Sequence, residues 1–247
     1  MSENQKNTVV KTAVKVWLRL LLASIMCFIV WLSIDAMGLA AFGEVTGYEI
    51  YAYDENGENP QLVTKYIYTA EDDRSADIEV KDNELLTYNR EMPVHTEAII
   101  GSVSSIFTLL IFGLFPYNML WDIGSHDDNF VQLGRMDEDK HFGLKVGIIA
   151  SIPSTLLYLL LIMGKFGVIN GVILKWHRLL NTAFIPYIDA VEMGADYAAE
   201  LSVGSLLAVA VILLFVPFVC WLGYYLGYRQ ISMREKLVYK KKTNEKR

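Results

Sequence analysis

Leu20–Ile34 reads LLLASIMCFIVWLSI, fifteen consecutive residues without a charge. No alternation of apolar and polar residues marks it as a half-buried strand, and nothing breaks it as a turn would. Such a run has hydrocarbon as its solvent, where every backbone N–H and C=O needs an internal partner, so the stretch is predicted to be a helix. Outward from it, apolar character extends from Val16 to Phe42. At 1.5 Å per residue that exceeds the roughly 30 Å of a bilayer core and leaves length for tilt. Lys6, Lys11, Lys15 and Arg19 precede the charge-free run Leu20–Ile34, as the basic end of a signal peptide would. A signal core has about 7–15 residues, however, and this run continues past Asp35, so a retained anchor is expected.

Three further segments qualify on the same grounds: Ala98–Leu120, Leu144–Met163 and Leu201–Leu226. The chain has 247 residues, 53% hydrophobic and only 20% charged, with a mean hydropathy of +0.30. That balance excludes a soluble enzyme, a disordered tail and a disulfide-stapled secreted module. With a net charge of −6, nucleic-acid binding by the whole chain is excluded as well. The expected class is an α-helical polytopic membrane protein with four transmembrane helices. Gly167–Ile188 is also apolar, but Lys175, His177 and Arg178 interrupt it, and it is predicted not to span.

Lys and Arg counts in the flanks set the orientation. Four precede the first span, three lie at or near the loop between the second and third, and eight follow the fourth; the opposite side has seven. Fifteen against seven predicts both termini in the cytoplasm and a cytoplasmic (plasma) membrane location. The expected order is a cytoplasmic flank (1–15), first span (16–42), external cap (44–96), second span (98–120) and cytoplasmic loop (121–143). The third span (144–163), a second external loop (165–200), the fourth span (201–226) and a basic tail (227–247) complete it.

The cap is predicted to be β-rich. Tyr48, Ile50 and Ala52 alternate with Glu49, Tyr51 and Tyr53, a period of two. DENGENP at Asp54–Pro60 is a turn sequence, LVTKYIY at Leu62–Tyr68 resumes a strand, and Ile78–Val80 and Leu85–Tyr88 offer one or two more. Between Glu44 and Glu91 stand thirteen carboxylates and four basic residues. No Ca²⁺ loop fits them, since the glycine of DENGE is misplaced for an EF-hand; a solvated acidic face is expected. About fifty residues with so few aliphatics bury little core, so the cap is expected to rest on the second loop. There Val172, Ile173, Trp176, Leu179, Leu180 and Phe184 recur at helical spacing, an interfacial amphipathic helix over 172–184. Its cations Lys175 and Arg178 are expected to face the acidic cap.

Residues that carry chemistry are few. Asp35 is an intramembrane or interfacial acid, at a depth near the outer headgroups. His126, Asp127, Asp128, Asp137, Asp139 and His141 have the chemistry of a divalent-metal site but no tight ligand spacing; a solvated loop with Arg135 and Lys140 as partners is the simpler expectation. NFVQLGR at Asn129–Arg135 reads as a docking element or a short helix with a glycine stop. Cys27 and Cys220 fall inside spans, as unreactive thiols. Gly101, Ser104, Ser105 and Thr108 form a small-residue stripe on the second span, and Gly147, Ser151, Ser154 and Thr155 another on the third. These are predicted to meet each other. Pro153 and Pro217 predict kinks. In the tail, Ser232–Glu235 fits a capping box, with Arg234, Lys236, Lys240, Lys241 and Lys242 placed to contact anionic headgroups.

No phosphate loop, dinucleotide fingerprint, nucleophile elbow or metalloprotease signature is present in the sequence. The expected role is non-catalytic: an accessory subunit, sensor or scaffold in a membrane complex, with anionic lipids and a membrane-protein partner or second copy as contacts. The alternatives are a subunit of an oligomeric small-solute or ion transporter using Asp35, and a membrane enzyme with a cytoplasmic His/Asp metal site. Residue patterns identify no cofactor.

Overall fold

The computed structural model describes residues 3–53, 60–69, 78, 80, 81, 84–135, 137, 139–192 and 195–231. In chain order they form α1 (Glu3–Phe42), β1 (Glu44–Ala52), β2 (Gln61–Ile67), β3 (Glu84–Glu91) and α2 (Val94–Gln132). There follow α3 (Phe142–Ala150), α4 (Ile152–Lys165), α5 (Ile173–Leu180), α6 (Ile185–Glu192), α7 (Val203–Ala210) and α8 (Ile212–Tyr228). Among the described residues, three stretches are long and apolar enough to cross a membrane: Asn7–Phe42, Val94–Gln132 and Val203–Tyr228. The pair α3–α4, bent by 45°, makes a fourth if it is taken as one span.

The helices outrun the apolar windows. With 40 and 39 residues, α1 and α2 are about 60 Å long. Hydropathy marks the part suited to hydrocarbon, whereas a helix continues until a residue stops it. For α2 the stop is Gly134, in the left-handed region at φ +66°. Arg135 N–H donates to Phe130 O and Gly134 N–H to Val131 O, a Schellman closure. Gly167 ends α4 in the same way, at φ +73°.

The chain divides into two compact units, Met1–Trp31 with Ser105–Arg247, and Leu32–Ser104. In the first, α8 is a packing centre. Gly143 and Gly147 of α3 lie against Cys220, Tyr224 and Pro217, and Gly223, Gly227 and Gly124 bring α8 and α2 into backbone contact at Tyr117, Trp121, Tyr224 and Tyr228. Lipid offers no hydrophobic drive for helices to associate, so glycines at four-residue spacing create the close contact. Helix α1 buries Val9, Ala13, Val16, Leu20, Ala23 and Cys27, while Val14, Leu18, Leu22, Ile25 and Ile29 stay exposed. An apolar face turned outward is what hydrocarbon as solvent demands.

The predicted stripes are used differently from the expectation. Gly147 faces Pro217 and Cys220 of α8. The carbonyl of Thr108 accepts from Cys27 Sγ of α1 at 3.2 Å, and Gly101 has open space around it. Small residues permit close approach without choosing the partner. The α3–α4 bend falls at Ser151, where Pro153 cannot donate to the helix ladder. The other break is at Val211, built from tightened bonds Val211 N to Ala208 O and Leu214 N to Val211 O; Pro217 itself lies within α8.

In the second unit the three strands form one antiparallel sheet in the order β2-β1-β3. Ile78 and Val80 lie outside any strand. Glu49 in the central strand ties all three together. It pairs with its register partner Lys65 of β2 at 2.8 Å and accepts from Asn89 of β3 at 3.3 Å and from Tyr51 at 2.6 Å. Lys65, then Tyr51 and Asn89, hold its carboxyl down at about 2. Tyr48, Tyr66 and Tyr68 pack on one another with centroids 5.4–5.9 Å apart. Ile50 is the only buried large aliphatic among the described sheet residues.

Candidate functional site

Residues 165–200 enter the helical bundle. Helix α5 starts beside Gly164, whose position faces Ile173, and leads to a turn at Thr182–Phe184. There Thr182 Oγ1 donates to the Ser24 carbonyl of α1 at 2.8 Å. Phe184 meets Phe112 of α2 and Phe215 of α8 edge-on, at 5.3 and 5.5 Å. Helix α6 returns from the turn, with Tyr187 OH donating to Ala208 O and Ser205 Oγ to Val191 O. Each arm has eight residues, about 12 Å of helix. Pro186, at the second position of α6, suits a helix start, where its missing N–H costs nothing.

The helix expected over 172–184 is realised only as α5, Ile173–Leu180, with Phe184 in the separate turn, and the faces of α5 are assigned in the opposite sense to a soluble helix. Leu174, His177 and Asn181 are buried, while Trp176, Leu179 and Leu180 are exposed. Polar groups turn inward to find partners: Asn181 Nδ2 donates to the His177 carbonyl at 2.9 Å. Arg178 also finds its partners within the loop. Its Nε meets Glu192 at 2.7 Å and Asp189 at 3.4 Å, and a guanidinium N–H reaches Ala195 O. Lys175 stands 6.0 Å from the ring centre of Tyr197. The expected pairing of Arg178 with the acidic cap is thus replaced by a local one: a carboxylate one loop away needs no long-range ordering.

Glu192 has a fully buried side chain. Burial pushes its carboxyl up to about 7 against the opposing pull of Arg178. His177 is 2% exposed, and burial, with Arg178 second, lowers its imidazole to about 4. Glu192 Oε1 and His177 Nδ1 meet no hydrogen-bond partner among the described residues.

Beside the turn lies a cavity of about 350 Å³. Three interruptions of the helical architecture converge on it. Ser151 and Pro153 come from the α3–α4 break, Ile212 and Leu213 follow the Val211 break, and Asn181 and Ala183 come from the inserted turn; Leu20 and Ser24 of α1 complete the wall. None of its lining residues is charged, and its polar side chains other than Trp17 are three serines and Asn181. This chain matches no family model, no curated protein and no solved structure. Its chemistry therefore rests on the residues themselves.

The predicted site residues are spread over separate contacts. Asp35 is partly exposed and does not line the cavity. The His126 ring packs on Phe130 with centroids 4.6 Å apart. Asp127 accepts from Tyr224 OH at 3.0 Å, and Asp128 from Gln132 and Gln230 at 2.9 and 2.8 Å. Asp139 holds Lys145 at 2.8 Å and accepts from the His141 N–H; Asp137 is exposed. Among the described residues no three His, Cys, Asp or Glu side chains come together as a metal could require. Asp127 and Asp128 instead fasten the end of α2 to that of α8, helped by Trp121 Nε1 donating to Ile231 O at 3.0 Å. Ser151 and Ser154, assigned to helix packing, line the cavity. Ser232–Glu235 and the headgroup-contact residues Arg234, Lys236 and Lys240–Lys242 lie outside the described residues. Asn181, His177 and Glu192 are absent from the predicted site residues; His177 and Asn181 interrupt the apolar stretch 167–188, a usable signal, whereas Glu192 lies beyond it.

Proposed function

We propose that this chain is a non-catalytic integral membrane protein, a sensor or accessory subunit that binds a ligand within its bundle. It crosses the cytoplasmic membrane four times, counting α3–α4 and α7–α8 as one span each. Both termini are cytoplasmic, the β-sheet is outside, and 165–200 enters from the external face. The tail cations Arg234, Lys236, Lys240, Lys241 and Lys242 contact anionic lipids, and a membrane-protein partner reads out the bound state.

The observation that carries this reading is the convergence of the α3–α4 break, the one-residue interruption at Val211 and the inserted turn on one uncharged cavity. Breaking a helix in hydrocarbon exposes backbone groups, an expense tolerated where the backbone lines a cavity or is buried in protein. The serines in the wall have no acid or base among the other lining residues, so the chemistry suits holding a molecule and not transforming it. The test is affinity purification from native membranes of the unaltered protein and of Ser154→Phe, which fills the cavity. The expected result is a stable partner kept by the former and lost by the latter at equal abundance. A protein that purifies alone in both forms would sink the reading.

Interrupted helices meeting inside a bundle also occur in transporters, which keeps one further reading in view. In that case reconstituted protein would carry an ion-dependent flux that Asp35→Asn abolishes. A binding role predicts no flux in either form.

A further inference from the structure

We infer that the cavity opens sideways and takes the hydrocarbon chain of a membrane phospholipid, inserted laterally between α1 and α4. This names the ligand class for the binding role proposed above, and it depends on that role only for the consequence of binding, the readout by a partner. Four leucines lining the cavity, Leu21 of α1, Leu156 and Leu160 of α4 and Leu180 at the end of α5, are also exposed on the outside of the bundle. They form the mouth. Leu21 lies in the apolar run of α1, and Leu156 and Leu160 in that of α4, so the mouth opens at the level of hydrocarbon. Lipid chain reaches it there, not solute from water.

The interior agrees with that occupant. Phe112, Ala183, Phe184, Ile212 and Val216 line it and are each less than 9% exposed. No lining residue is charged, so a phosphate or an ammonium group finds no counter-ion inside. The headgroup stays in the interface while its chain fills the space. A volume of about 350 Å³ falls at the lower end of the roughly 300–1,000 Å³ of small-molecule pockets. That suits one chain and not a whole phospholipid. Thr182, bonded to Ser24, holds the turn that forms one wall, so the cavity is preformed and the chain need not open it.

The test is photolabelling in proteoliposomes with a phospholipid that carries a diazirine near the end of one acyl chain, followed by mapping of the labelled residues. Ala183 is 1% exposed and is reached only by a chain inside the cavity. Ile148 and Leu207 are 54% and 66% exposed, do not line it, and report ordinary lipid contact. Label is expected at Ala183, lost in both Ser154→Phe and Leu157→Trp, and unchanged at Ile148 and Leu207. Retained label at the two control positions shows that each variant is folded. Label at the controls but not at Ala183, or label at Ala183 that both filling substitutions leave intact, overturns the inference. A diazirine fatty acid that reaches Ala183 where the phospholipid does not overturns it too, since the occupant is then a free acid. Loss of partner dependence with Ala183 labelling intact would instead count against the sensor reading alone.

Discussion

Glu192 and His177 sit in one inserted hairpin and carry opposite pH signatures. Burial raises the Glu192 carboxyl to about 7, so the folded state binds its proton more readily than the unfolded one. Its contribution is complete below the usual carboxylate range and is lost as pH rises towards 7. Burial lowers His177 to about 4, so its contribution is complete above the usual imidazole range and is lost as pH falls towards 4. Each is worth on the order of 3 kcal/mol at full extent, and over roughly pH 4.5–6.5 they oppose one another. Thermal unfolding in detergent from pH 4 to 8 should therefore show little slope for the unaltered protein across that window. Glu192→Gln should leave stability rising with pH, and His177→Leu should leave it falling. The same slope in both variants would refute the assignment. Thr182→Val, which removes only the bond to Ser24, should cost about 1 kcal/mol, read from the same unfolding curves.

At the scale of elements, the α2–α8 contact depends on backbones touching. A Cβ on Gly227 would strike the Trp121 carbonyl, and one on Gly223 would come within 2.7 Å of Tyr117 O. Neither obstacle is a flexible side chain. Gly227→Ala should cost more than about 2 kcal/mol through overpacking. Gly101→Ala meets nothing within 4 Å and should be neutral or stabilising by up to about 1 kcal/mol, since alanine favours the helix. Unfolding midpoints of the two variants in one detergent decide between them, and equal losses would refute close packing as the cause. The sheet makes the opposite case. With Ile50 as its one buried large aliphatic among the described residues and a tyrosine cluster outside it, an excised 44–96 fragment should show no cooperative thermal transition by circular dichroism. In the full chain, Tyr66→Ala should open the sheet to protease more than Lys65→Met, because an exposed ion pair contributes only about 0–1 kcal/mol.

For the whole molecule, the prediction is topological. Gln61 and Asp137 are both exposed, and the native Cys27 and Cys220 are buried, which keeps background labelling low. On intact cells an impermeant thiol reagent should modify Gln61→Cys and spare Asp137→Cys, with the latter reacting only after permeabilisation. The reverse pattern would invert the orientation and place the hairpin entrance on the cytoplasmic side. The basic-residue count is the ground for this expectation, and it does not depend on how the helices pack.

Sequence alone determined the long apolar segments suited to a membrane and the presence of strands between the first two helices. Each follows from local chemistry: an uncharged run such as Leu20–Ile34 has few other solvents available, and the alternation at Tyr48–Tyr53 repeats at the strand period. The glycine stop in NFVQLGR was legible for the same reason, since a left-handed cap needs only its own few residues. Tertiary structure decided the partners. The stripe containing Gly147 reads identically whether it meets α2 or α8, because a small side chain permits contact without selecting it. Lys175, His177 and Arg178 interrupt the segment 165–200, and by sequence it belongs outside the spans. Only in three dimensions do Arg178 and Glu192 meet, Thr182 reach Ser24, and the interrupted helices leave the space that the turn lines. That site exists through contacts between residues as far apart as Ser24 and Thr182, and no local pattern records them.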